Sequence, residues 1–357
     1  MNLGFRLLSS LVCCVLVLPA AAKSQANDYL SVLEQFVSDN AIAGGVLAVV
    51  GTDMDIVVKT GFSESVTRRP VTGSTRFYIA STGKMMVAAA ILALVERGKL
   101  DLDGKVWPLI SDLPDIELLE GADVVTLRQL LNHTSGLADY LGEDFAEASV
   151  GEPEKVWSEA DAIRFAFGEP AYGSPGTVFE YSNSNYVLLG HVLKRHYPDL
   201  QAALSRMVFE PSGMRSTTVG ATRGASDLAH GYATEQFDAD VSAQSWASVL
   251  GDGPVVSTAR DVAAFMLALL RDEKTVGSEL IEEMLRGSEQ DESYGLGIVI
   301  GSDEWGDWYG HSGGYDGFEA DVRYYPDADL VLAFTVNGDV SSDADLLDQV
   351  AEIYFSN

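Results

Sequence analysis

Cysteine is nearly absent from these 357 residues, and its 2 copies, Cys13 and Cys14, are adjacent within an apolar N-terminal stretch. A chain that loses that stretch has no disulfides, no thiol catalysis and no thiolate metal site. Histidine is scarce as well, with 5 copies. His191 and His196 are too far apart in register to share a helix face, and His133 and His230 stand alone and read as structural, so no metal site is expected. No glycine-rich phosphate loop is present, because Gly295-Leu296-Gly297 lacks a third glycine at the required offset. No cofactor is expected. Positive charge is the next shortage: 23 Lys and Arg face 53 Asp and Glu, a formal net charge of −30. Nucleic acid and anionic membrane surfaces are poor partners for such a chain.

A long apolar run is missing too. Residues 7–18 are apolar but too short to span a bilayer. With Arg6 before them and Pro19-Ala20-Ala21-Ala22 after, they have the form of a signal peptide, and Ser24-Gln25-Ala26 offers a second cleavage point. The expectation is removal of residues 1–22 and a secreted or periplasmic chain with no membrane insertion. Hydrophobic residues make up 47% of the whole chain, enough for more than one core.

What the chain does contain is three short strings in a fixed order: Ser81-Thr82-Gly83-Lys84, then Tyr181-Ser182-Asn183, then His311-Ser312-Gly313. A serine hydroxyl is a weak nucleophile until a neighbouring base takes its proton, and a lysine can be that base or its partner. Spacing of i, i+3 places Lys84 on the same helix face as Ser81. The run 85–95 is apolar nearly all round and is followed by Glu96, Arg97 and Gly98, which predicts a buried helix with a glycine stop. Ser81 then sits at a helix N-terminus, where backbone N–H groups favour an oxyanion. A serine N-cap beside a snorkelling lysine is the plain alternative. Tyr181 and Asn183 read as loop residues feeding a helix over 186–193. There the tyrosine suits a general base or proton shuttle beside Lys84, and the asparagine an amide partner for Lys84 or a substrate carbonyl.

These strings resemble the serine β-lactamase and penicillin-binding-protein superfamily, in the branch of class C β-lactamases, D-alanyl-D-alanine carboxypeptidases, D-aminopeptidases and related esterases. The likeness extends to Phe77-Tyr78-Ile79-Ala80, Leu130-Leu131-Asn132-His133-Thr134-Ser135-Gly136-Leu137, Pro211-Ser212-Gly213-Met214 and Tyr294-Gly295-Leu296-Gly297, and covers roughly residues 28–355. It implies Ser81 as nucleophile, Lys84 and Tyr181 as the proton-handling pair and Asn183 as their hydrogen-bonding partner. It also implies an oxyanion hole from the backbone N–H groups of Ser81 and Gly314, with His311, Ser312 and Gly313 lining the opposite wall. The implied activity is a serine hydrolase forming an acyl-enzyme on ester or amide bonds of a small-molecule or peptide substrate. A β-lactamase or carboxypeptidase is the alternative activity, and a catalytically silent binding relative the alternative class.

Two decoys fail on order. Gly310-His311-Ser312-Gly313-Gly314 fits the G-x-S-x-G nucleophile elbow, but no histidine follows His311 to serve Ser312. Lys59-Thr60-Gly61 spells a β-lactamase motif ahead of the Ser81 string instead of after it. At position 311 the β-lactamases of this branch carry lysine, so the histidine here weakens any hold on a substrate carboxylate. Residues 287–310 contain no Lys or Arg but include Glu289, Asp291, Glu292, Asp303, Glu304 and Asp307, which disfavours anions further. The predicted fold is α+β, an α/β sandwich. Hairpins over 45–58 and 322–336 form one antiparallel sheet, helices near 29–37 and 344–354 cover it, and a mainly helical subdomain of about 81–271 is inserted. Helix starts are expected at Thr126, Ser158 and Thr258.

Overall fold

The computed structural model describes residues 20–356 apart from 223, 235 and 341–344. Most of the expected signal segment, and the expected start of the last helix at 344, lie outside the described residues. Among the described residues, no helix is long and apolar enough to cross a membrane.

Among the described residues ten strands occur, numbered in chain order: β1 Gly44–Gly51, β2 Met54–Glu64, β3 Arg69–Pro70, β4 Phe77–Tyr78, β5 Thr218–Val219, β6 Val255–Ser257, β7 Val299–Asp303, β8 Gly306–Tyr315, β9 Phe318–Tyr325 and β10 Leu330–Val336. Seven of them form one antiparallel sheet in the order β3-β2-β1-β10-β9-β8-β7. Strands from the two ends of the chain meet at its centre, where Ala48 opposes Ala333. Every residue of β10 is buried because both faces of the sheet are covered. Leu330, Leu332, Phe334 and Val336 pack with Tyr29, Leu33 and Phe36 of the helix Ala20–Asp39 and with Leu347 and Val350 of the helix Leu346–Phe355. Val331 and Ala333 point the other way, into the larger core that holds Val262 and Phe265. The alternation follows the two-residue period of a strand.

The segment between β3 and β7 is mainly helical, as its sequence predicts, and also carries a small sheet in the order β4-β6-β5. The three expected helix starts are set by local chemistry. Thr126 Oγ1 accepts from Gln129 N while the Gln129 side chain accepts from Thr126 N, a full capping box, and the Ser158 and Thr258 side chains each accept from the backbone N–H three residues on. The central helix Lys84–Glu96 is buried from Lys84 to Leu94. Its alanines, leucines and methionines favour helix, and each large apolar side chain removed from water contributes about 1.5–3 kcal/mol. Gly98, at φ +64°, takes the left-handed turn that ends it. β8 runs past the start of this helix, and the cleft opens between them.

Candidate active site

Ser81 does not begin the α-helix. It lies in a 3-10 turn, Ala80–Gly83, entered through Ala80 at φ +45° and followed directly by the helix Lys84–Glu96. With three residues per turn, side chains at i and i+3 eclipse, so Lys84 stands over Ser81 more squarely than an α-helix would place it. Lys84 is fully buried. A buried cation is tolerated only when hydrogen-bonded, and Lys84 Nζ is: it lies 2.9 Å from Ser81 Oγ and 2.9 Å from Asn183 Oδ1, and it donates to the carbonyl of Asp252. As an ammonium, Lys84 fills all three acceptors. As an amine, it accepts the Ser81 hydroxyl proton and still donates to two carbonyl oxygens. The constellation therefore fits both sides of a single proton transfer.

Asn183 is the first residue of the helix Asn183–Lys194 and not part of the preceding loop. Its backbone N–H donates to Asp139 Oδ1 at 3.0 Å and its Nδ2 to Asp139 Oδ2 at 2.8 Å, leaving Oδ1 for Lys84. Tyr181 lies two residues earlier, with Lys84 Nζ 5.1 Å from its ring centroid. Its hydroxyl is buried and has no hydrogen-bond partner among the described residues. The ring is stacked on His133, centroids 4.1 Å apart and planes 26° from parallel. His133 Nδ1 accepts from Ser182 N and from Asn185 Nδ2, both at 3.1 Å, which puts the ring proton on Nε2. Burial, then the Lys84 charge, hold its pKa well below the usual histidine value, so His133 is a neutral shelf under Tyr181.

On the other side, β8 presses against the Ser81 turn. A Cβ on Gly313 would lie 2.3 Å from Ile79 O and 2.8 Å from the backbone nitrogens of Ser81 and Thr82, so only glycine permits this approach. Thr82 Oγ1 donates to the His311 carbonyl at 3.2 Å and fastens the two together. Gly314 and Ser312 are exposed on the same strand. His311 is only 5% exposed. Its Nδ1 donates to the Ser312 carbonyl and its Nε2 accepts from the Tyr294 hydroxyl at 2.9 Å. Both ring nitrogens are engaged within the protein, and burial lowers the pKa to about 4. The imidazole supports the wall and has no nitrogen left for a ligand.

Ser81 is shared by two recesses. One, the more enclosed, is lined by Tyr78, Tyr140, Leu141, Phe145, Trp157 and Leu250, together with Asn183 and Gly314. The other is more open to solvent and holds Tyr181, Tyr294, His311 and Ser312, with Asp291 also in its lining. Neither lining includes an arginine, or a lysine whose charge faces solvent. The structure thus brings Ser81, Lys84, Tyr181, Asn183, His311, Ser312, Gly313 and Gly314 to one cleft. It adds His133, Asp139, Tyr140, Asp252 and Tyr294, which sequence spacing does not connect. The Tyr140 hydroxyl donates to Asp252 Oδ2 at 2.7 Å, and burial raises the Asp252 pKa. Both decoys fall outside this chemistry. Ser312 lies on a strand and not on a strand-to-helix turn, and Lys59 is exposed on β2.

Comparison with known proteins bears on the family and the fold. The family model described as Beta-lactamase matches residues 31–355. Penicillin-binding protein 4* of Bacillus subtilis (strain 168) is 29% identical over 319 residues, 82% of this chain and 68% of that protein. Esterase EstB of Burkholderia gladioli is 32% identical over 205 residues, 54% of this chain and 51% of its own length, so the chain spans about half of that relative. Among solved structures, the D-amino acid amidase from Ochrobactrum anthropi SV3 complexed with L-phenylalanine amide superposes with a TM-score of 0.78 at 24% identity, covering 93% of this chain and 99% of the amidase.

Proposed function

Starting from the chain's membership of the beta-lactamase family, a family of serine hydrolases that includes amidases and esterases, we infer that it hydrolyses ester or amide bonds through an acyl-enzyme on Ser81. Ser81 Oγ attacks the substrate carbonyl as its proton passes to the Lys84 and Tyr181 pair. The oxyanion is met by the backbone N–H groups of Ser81 and Gly314. The same pair returns the proton to the leaving alcohol or amine, and water then attacks the ester to Ser81 with the roles repeated. The observation that carries this reading is the position of Lys84 Nζ, 2.9 Å from Ser81 Oγ and held by two further acceptors.

The substrate inferred is neutral or cationic: a short ester or a D-amino-acid amide. Support comes from the cleft's charges, since His311 is neutral and internally bonded and Asp291 lines the more open recess. A carboxylate finds no paired cation there, and differential binding follows what a cleft offers. The test is kcat/KM for a neutral ester, a D-amino-acid amide and a cephalosporin on purified protein. The ester or the amide should lead by a wide margin. A cephalosporin turned over best would replace this reading with a β-lactamase. We also infer export, on the strength of residues 1–22, and fractionation of expressing cells tests it.

A further inference from the structure

We propose that Asp139 is a positioning residue that fixes the orientation of the Asn183 amide and thereby sets the proton affinity of Lys84. The argument is one of donors and acceptors. An amide can turn over, presenting either its oxygen or its NH2 to a neighbour. If the NH2 of Asn183 faced Lys84 Nζ, the ammonium would lose one of its three acceptors. Asp139 prevents this. A carboxylate is acceptor-only, and its two oxygens take two different donors of the same residue, the Asn183 backbone N–H at 3.0 Å and Nδ2 at 2.8 Å. With Nδ2 committed to Asp139, Oδ1 must face Lys84, where it lies 2.9 Å from Nζ. Asp139 is itself held, since Oδ1 also accepts from Leu141 N at 3.2 Å and its neighbour Tyr140 is anchored by Ser184 Oγ and by Asp252.

Asp139→Asn is isosteric but has one acceptor where two are needed. Either the Asn183 backbone N–H loses its partner, or the Asn183 amide turns and aims its NH2 at Lys84. The reciprocal exchange Asp139→Asn with Asn183→Asp repairs the pattern. Asn at 139 then accepts from the backbone N–H and donates to one oxygen of Asp at 183, whose other oxygen accepts from Lys84. The repaired site differs from the parent in one respect: the negative charge now touches Lys84.

The proposal rests on the serine-hydrolase reading for its functional consequence, but its physical content is separately measurable. Lys84 is followed by carbon-13 NMR at Cε as pH is raised, with assignment from Lys84→Met, in the parent, in Asp139→Asn and in the double variant. The Lys84 midpoint should fall in Asp139→Asn and rise above the parent in the double variant. In parallel, the rate of Ser81 modification by a fluorophosphonate is measured across pH. Asp139→Asn should be about tenfold to a hundredfold slower at its plateau, with its acid limb displaced to lower pH, and the double variant should recover part of the plateau with the limb displaced to higher pH. Two results overturn the proposal: loss of the Asp139 charge alone would displace the limb with the plateau near the parent's, and a purely structural loss would slow all pH values alike and move no midpoint. Unchanged Lys84 midpoints in both variants, with melting temperatures near the parent's, overturn the proposal. Midpoints that move in opposite directions while Ser81 stays unlabelled in the parent uphold the placement and overturn the hydrolase reading instead.

Discussion

The two recesses that share Ser81 are walled by different elements, and their side chains are held in different ways. The one beneath the helix Glu143–Gly151 is built of Tyr140, Phe145, Trp157 and Leu250, and its aromatic rings hold one another: Phe145 lies 4.8 Å from Tyr140, 5.1 Å from Trp157 and 5.3 Å from Phe165. Two of these contacts are edge-to-face and the one to Trp157 is tilted, and together they fix shape. The other, whose wall is β8, turns its polar side chains inward: His311 to Tyr294, and Tyr181 flat on His133. On the function proposed above, the packed aromatic rings would select by size, and neither recess would offer a cation to an anionic substrate.

The largest effects should come from Ser81, where the recesses meet, and from the proton-handling pair beside it. Ser81→Ala should reduce turnover to background, and Lys84→Ala and Tyr181→Phe should each lower kcat by roughly 10²-fold or more with smaller effects on melting temperature. A folded Tyr181→Phe with parental kcat would remove Tyr181 from the chemistry.

Next in size is a stability effect on the β8 side. His311 titrates at about 4 in the fold but at 6.5 when unperturbed. Between those values the unfolded chain binds more protons than the folded one, so the His311 contribution is complete above about pH 6.5 and is lost as pH falls toward 4. Its full size is on the order of 3 kcal/mol. His133, whose pKa is also depressed, acts in the same direction. Denaturant titrations from pH 7 to 4 should show His311→Gln losing less stability than the parent over that interval. Equal slopes would mean that His311 is not held neutral.

On the aromatic side, Trp157→Ala should cut kcat/KM about tenfold for substrates with a bulky apolar group while leaving small esters nearly untouched. Loss of activity on both classes alike would show that this recess does not read size. The smallest effect is also on the β8 side. Asp291→Asn should raise kcat/KM for a carboxylate-bearing substrate by a few-fold at low salt and by less at high salt, because a half-buried charge in a recess open to solvent acts weakly and is screened.

Much of this was legible in the sequence where the determinants are local. The capping starts at Thr126, Ser158 and Thr258, the hairpins 45–58 and 322–336, and the stacking of Lys84 on Ser81 all depend on residues a few positions apart. Element boundaries were less so, as Asn183 illustrates: it opens a helix and does not precede it, a shift of the size at which helix ends are ill-defined. The supporting groups had no local signal. His133 reads as solitary because its partners, Tyr181, Ser182 and Asn185, lie some 50 residues away, although it falls within one of the strings that carry the family resemblance. Asp139, Asp252 and Tyr294 reach the cleft only through tertiary packing. The inward turn of His311 was equally hidden, because a strand sequence alternates faces without saying which face a given neighbour will cover.

The central claim is that Ser81 is the nucleophile, and covalent labelling tests it most directly. Protein treated with a serine-directed fluorophosphonate is digested and the modified peptide identified by mass spectrometry. The account predicts a single adduct on Ser81, absent after Ser81→Ala, with Ser312 unmodified. An adduct on Ser312 with Ser81 intact would contradict it.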